Sequence, residues 1–301
     1  MKRLLDVVRV LLAALVLGWV VWRLGEDWTG LHLPEALHWP SLVLASASGA
    51  AALLGLAVLC AAGVRAAGLY RPEHRLPYLR MWLQSLFWRY VPGKVLLVAE
   101  RIRLGGLLGI PKATSVVLVL WETLLLLAGA TLVAVVAMPL VATLSPAPLV
   151  ALALALGAAL LLLPWGLRQA VARVPWLSAR VPHLVLQVAP NSQLGLVLGY
   201  GVVWLFFGAS FVFTCRFMGA DAGVEAGLWF VVAYVTGMVV GLTPAGLGVR
   251  EGVLAAGLAE SVGSPEAVAF ALVNRVLMTV VELVVIAGST LVPMPDEDEA
   301  G

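Results

Sequence analysis

The chain has 301 residues, 62% of them hydrophobic and 12% charged, with a formal net charge of +2 at pH 7 and a mean hydropathy of +1.01. An ordinary soluble domain carries about 25% charged residues, so this composition excludes a soluble globular protein and points to a polytopic membrane protein. No polar block is long enough to form a separate soluble domain, and the near-balanced charge gives no reason to expect a nucleic-acid partner.

In chain order, six apolar segments are long enough to cross a bilayer, which takes about 20 residues. They are residues 5–24, 41–64, 113–138, 148–166, 192–215 and 266–291. The first follows a basic start but lacks a small-x-small cleavage site, since Trp19, Trp22 and Arg23 stand there; it reads as a retained span. Two further apolar stretches are interrupted: 78–104 at "RYVPGK" and 226–260 at "LTPAGLGVRE". In the first, both arms are far too short to cross. In the second, the arm from Ala226 to Leu242 is nearly long enough, so it reads either as a re-entrant arm or as a full span. Cys60 and Cys215 lie in apolar segments and read as small buried thiols; the four histidines show no metal-ligand spacing.

Cytoplasmic loops collect Lys and Arg. Lys2, Arg3 and Arg9 precede the first span; Arg65, Arg71, Arg75 and Arg80 follow the second; Arg101, Arg103 and Lys112 follow the first interrupted stretch. Segments 25–40 and 139–147 contain neither residue. Both flanks of 78–104 therefore belong on the cytoplasmic side, and the stretch dips in and returns, turning near Pro92-Gly93. Arg89-Tyr90 and Glu100-Arg101 read as the cytoplasmic rim of that hairpin. Six spans with two hairpins place both termini inside; a full span over 226–243 would move the C-terminus outside. The segment 167–191 reads as an interfacial linker between halves, and residues 296–301 as an acidic tail.

The two halves, about 1–140 and 146–295, match at their breaks within one integral membrane domain. "VPGKV", "LGIPKA" and a helix with Trp121-Glu122 correspond to "TPAGLGV", "VGSPEA" and a helix with Asn274-Arg275. Each half holds two spans, a broken stretch and a third span, so the second is inverted relative to the first. Broken helices at matching positions of an inverted repeat point to a transporter's binding site. Proline removes a backbone donor and glycine loosens the helix, and the polar groups so released survive in a membrane only inside protein or beside water. A half-helix starting after Pro92 or Pro244 aims N–H groups and a positive dipole end inward, which suits an anion.

The candidate substrate-binding residues are therefore Pro92, Gly93, Lys94, Pro244, Gly246, Gly248, Arg250 and Glu251. Arg250-Glu251 also fits an internal ion pair holding the hairpin, and Lys94 also fits a side chain snorkelling to the interface. Glu122, Asn274 and Arg275 form a gating or clamping set: Glu122 and Arg275 fall at near-equivalent positions about ten residues into their spans and each needs a charge partner, which either could be for the other. Glu282, two turns beyond Arg275, competes for that role.

The element "TPAGLGVREG", the Gly-x-Pro turn after it, the helix with "NRVLMTVVEL", and the earlier "YVPGKV" and "ERIRLGG" together resemble the lysylphosphatidylglycerol synthase transmembrane-region family, also called flippase-like domain proteins. Ala245 stands where that family has a second glycine. The resemblance covers nearly the whole chain and implies a stand-alone member without the soluble synthase domain, moving a lipid with an anionic or phosphate-bearing headgroup between leaflets of the cytoplasmic membrane. It implies membrane lipid as substrate, a lipid or glycan biosynthetic enzyme as a possible partner, and no cofactor. The rival readings are a non-catalytic scaffold for such a synthase and, behind it, a membrane-embedded lipid transferase, for which no Ser-His or clustered-carboxylate motif is present.

Overall fold

A computed structural model describes residues 37–90, 95–137, 173, 188–240 and 248–295. The expected spans 5–24 and 148–166, nearly all of the linker, and the acidic tail lie outside the described residues.

The described chain is helical, with no strand among the described residues. Among the described residues four helices are long and apolar enough to cross a membrane: α1 (Trp39–Ala66), α4 (Lys112–Ala137), α5 (Pro190–Phe217) and α8 (Ser264–Ser289). At 1.5 Å per residue they run about 39–42 Å, more than the roughly 30 Å of a hydrocarbon core. Their exposed faces are apolar as well as their buried ones. Val43, Leu54 and Val58 on α1, Leu120 and Val136 on α4, Leu198 and Leu205 on α5 and Val284 on α8 all face outward. A helix with no polar face has lipid, not water, as its surroundings.

Between these lie the interrupted stretches. The first gives α2 (Arg75–Leu86), a 3-10 turn (Phe87–Tyr90) and α3 (Val95–Leu107). The second gives α6 (Val224–Val240) and α7 (Val249–Val262). The prolines and glycines of the two interruptions, at 91–94 and 241–247, lie outside the described residues. Each pair of arms folds back on itself: Arg101 of α3 meets Ser85 and Trp82 of α2 while Gly105 lies against Met81. In the second pair Arg250 of α7 meets Phe230 and Tyr234 of α6, and Gly257 lies against Trp229. Residue numbers rise along one arm as they fall along the other, so both pairs are antiparallel hairpins. The 17 described residues of α6 run about 26 Å.

Two compact units divide the described chain. Unit 1 takes residues 37–51, 87–90, 95, 205–240 and 248–284; unit 2 takes 52–86, 96–137, 173, 188–204 and 285–295. They do not follow the sequence halves, because α1, α5 and α8 each give one end to each unit. Within each unit small residues let helix backbones approach, the usual device of membrane helix packing. In unit 1 a Cβ on Gly208 of α5 would stand 3.2 Å from the carbonyl oxygen of Gly227 on α6. In unit 2 a Cβ on Gly129 of α4 would stand 2.6–2.7 Å from Tyr200 and the Gly201 nitrogen on α5. Beside that contact the Trp204 indole donates to the Leu126 carbonyl at 2.8 Å.

Candidate functional site

Each unit builds a polar cluster where its hairpin meets the long helix that follows. In unit 1 the cluster starts with Gly248, which caps α7 at a φ of +83° and has open space around it. Its N–H donates to Glu251 Oε2 at 2.7 Å, so the carboxylate closes the helix start three residues on. The other oxygen of Glu251 accepts from Arg275 Nη1 of α8 at 2.5 Å. Glu251 thereby fills part of the positive helix end that the sequence offers to a foreign anion. Both side chains of this pair are buried.

Arg250 turns the other way. Its guanidinium lies 4.3 Å from the ring centre of Phe230 and 4.9 Å from that of Tyr234. Its Nη2 donates to Asn274 Oδ1 at 3.3 Å. Asn274 is fully buried and is itself held by Thr214, whose Oγ1 accepts from Asn274 Nδ2 at 3.0 Å and donates to the Ser210 carbonyl at 2.8 Å. Only 9% of Arg250 is exposed, yet among the described residues no carboxylate lies within ion-pairing distance of it. Arg89, in the turn before the first break, belongs to the same unit and pairs with Glu282 of α8 at 2.5 Å.

In unit 2 the roles of the charges are exchanged. Arg101 on α3 donates from Nη1 to Glu122 Oε2 on α4 at 2.9 Å, and to the Cys60 sulfur at 3.1 Å. Its Nε donates to Ser85 Oγ at 3.0 Å, and the Trp82 indole donates to the second oxygen of Glu122. The second arm of one hairpin thus carries an arginine and the second arm of the other a glutamate. Each pairs with the opposite charge near the middle of the next long helix.

Several sequence expectations change. Glu122 and Arg275 do not need each other: each has a partner inside its own unit, because the hairpin arm packed beside it brings an opposite charge. Arg101 is 6% exposed and buried against Glu122, so it is not a rim residue; the exposed pair there is Glu100 with Arg103. Arg250-Glu251 is not the internal pair of the hairpin, since the two side chains leave α7 toward different partners. Glu282 serves Arg89 and not Arg275. Gly248, Arg250, Glu251, Asn274 and Arg275 are brought together in unit 1, with Glu122 in unit 2. Pro92, Gly93, Lys94, Pro244 and Gly246 lie outside the described residues. The sequence reading missed Arg101, Thr214, Phe230 and Tyr234. An unpartnered Glu122 in a span was the signal for Arg101; nothing in the sequence singled out the other three. Among the described residues no group of three or more His, Cys, Asp or Glu side chains could hold a metal ion. No protein-family model matches the chain, and a search of curated proteins finds no match either.

Proposed function

We propose that this protein is a membrane lipid translocase that moves a lipid with an anionic or phosphate-bearing headgroup between leaflets, with Arg250 as the headgroup's main contact. The observation that carries this reading is a buried guanidinium whose described partners are one neutral amide and two aromatic faces. A guanidinium has five N–H donors in a fixed fork, matched to the oxygens of phosphate or carboxylate. A buried cation is costly without a counter-charge, and an intramembrane charge of this kind marks a substrate path by default. The rings that stack on Arg250 and the Asn274–Thr214 chain fix its orientation.

Architecture supports the same reading. Two helical hairpins interrupted at matching positions, each tied to the next long helix by a buried ion pair of exchanged polarity, are what an inverted repeat of two broken-helix hairpins would give. The flanks of both breaks, Arg89 and Val95 from one and Gly248 and Arg250 from the other, share unit 1. In this reading two further spans, 5–24 and 148–166, complete a six-span protein of the cytoplasmic membrane, and α6 and α7, which fold back on each other, form a re-entrant hairpin. Arg80 donates to the Val292 carbonyl just past α8, in unit 2, which puts the end of α8 beside the basic base of the first hairpin. By the bias of Lys and Arg this is the cytoplasmic side, so the C-terminus is cytoplasmic with the N-terminus. The resemblance to flippase-like domain proteins belongs to this reading and rests on the motifs quoted above.

The test uses purified protein in liposomes with trace headgroup-labelled anionic and zwitterionic lipids, following inner-leaflet label as it becomes accessible outside. Exchange of an anionic lipid by the parent, lost in Arg250→Ala and partly kept in Arg250→Lys, is the expected result. Equal exchange by parent and Arg250→Ala would refute the role of Arg250. Absence of exchange with every lipid class, from protein with parent-like unfolding, would refute translocation and favour the scaffold reading.

A further inference from the structure

The unit 2 cluster borders a small, partly open cavity of about 20 Å³. Its polar lining is Cys60, Ser115, Arg101, Glu122 and Tyr200; Gly63, Met81 and Trp121 supply apolar wall. Ser115 is 2% exposed, and among the described residues its hydroxyl has no hydrogen-bond partner. A buried hydroxyl left unsatisfied is uncommon and calls for an explanation.

We infer that this cavity is a hydration site, holding one or two water molecules on Ser115 and the Arg101–Glu122 pair. Size sets the first limit: a single water needs about 10–15 Å³ of such space, so nothing larger than one or two waters fits. Charge sets the second. Arg101 and Glu122 cancel, so the site has no excess charge to hold an anion or a cation, and its ligand is neutral. Hydrogen bonding sets the third, because a buried water needs two to four polar partners and the lining supplies both donors and acceptors. The contrast with unit 1 follows from the charges alone. There a second arginine stands beside the Glu251–Arg275 pair, whereas unit 2 has a balanced pair and an orphan hydroxyl. The inference does not depend on the lipid-transport reading.

Hydroxyl radicals made by X-ray radiolysis of the protein in micelles label side chains beside resident water even when they are buried. The molecule provides matched controls: Cys60 and Met81 line the cavity, whereas Cys215 and Met278 are buried in unit 1 and are not among its lining residues. Oxidation read by mass spectrometry is expected several-fold faster at Cys60 and Met81 than at Cys215 and Met278. Gly63→Ala, whose new methyl would meet Trp121 at an ordinary 3.5 Å, takes up cavity space. Ser115→Val removes the orphan hydroxyl. Each is expected to bring the two rates together. Equal rates in the parent would overturn the inference, and that comparison stands even if a variant fails to fold. A high ratio unchanged in both folded variants would also overturn it, since the radicals would then arrive from outside.

Discussion

Replacing Glu122 with Gln keeps the shape of the side chain and removes the charge opposite Arg101. The two side chains are 7% and 16% exposed and 2.9 Å apart. At an effective dielectric of about 20, opposite unit charges at this distance attract by roughly 5–6 kcal/mol before desolvation is subtracted. What the mutation exposes is the other term, a guanidinium buried among Ser85, Cys60 and Trp82 with no counter-ion. Breaking a buried pair from one side costs about 3–5 kcal/mol. The partial exposure of Glu122 places this case near the lower end, about 3 kcal/mol. Arg101→Met combined with Glu122→Gln removes both charges and should return to within about 1 kcal/mol of the parent, because a buried pair adds little net stability. Denaturant unfolding in mixed micelles, followed by tryptophan fluorescence, gives all four corners of the double-mutant cycle. A Glu122→Gln loss below about 1 kcal/mol, with a coupling near the value for exposed pairs, would show that water already screens this pair and refute the reasoning.

Gly129→Ala drives a methyl into the Tyr200–Gly201 backbone and should cost about 1–3 kcal/mol in the same unfolding assay, whereas Gly106→Ala, with nothing within 4 Å, should be neutral or gain up to about 1 kcal/mol. Gly248→Ala must hold a φ of +83° at the start of α7; a loss of about 1–2 kcal/mol is expected although the site has room, and no loss would mean that the cap rearranges freely. Trp204→Phe keeps most of the packing and removes the indole bond to the Leu126 carbonyl, which keeps its partner within α4, so a loss of only about 0.5–1.5 kcal/mol is expected; amide hydrogen exchange in α4 should rise near residue 126.

The class of the protein and the breaks in it were legible in the chain because they depend on local properties. Apolar length makes a spanning helix wherever the segment sits, and the four described long helices begin and end within two residues of the expected bounds. Proline and glycine act on their own backbone, so the expected interruptions could be placed from the chain alone; residues 91–94 and 241–247 themselves lie outside the described residues. The end of α3 shows the same thing: Gly109 adopts a φ of +75°, and Ile110 N–H returns to the Gly105 carbonyl just before Pro111. Which charge answers which was not legible. Arg101 and Glu122 are 21 residues apart, and Glu251 and Arg275 are 24, and neither spacing is a period of one helix. They meet only because a hairpin arm lies back along the following helix. Helix packing likewise decided that Arg250 rests on Phe230 and Tyr234, and that Ser115 faces a small cavity. The sequence by itself determined a membrane protein with two broken helices carrying charge, since hydrophobicity and backbone freedom belong to single residues. Only the tertiary structure decided the partners of those charges, since an ion pair belongs to two surfaces that the chain brings together after its helices have formed.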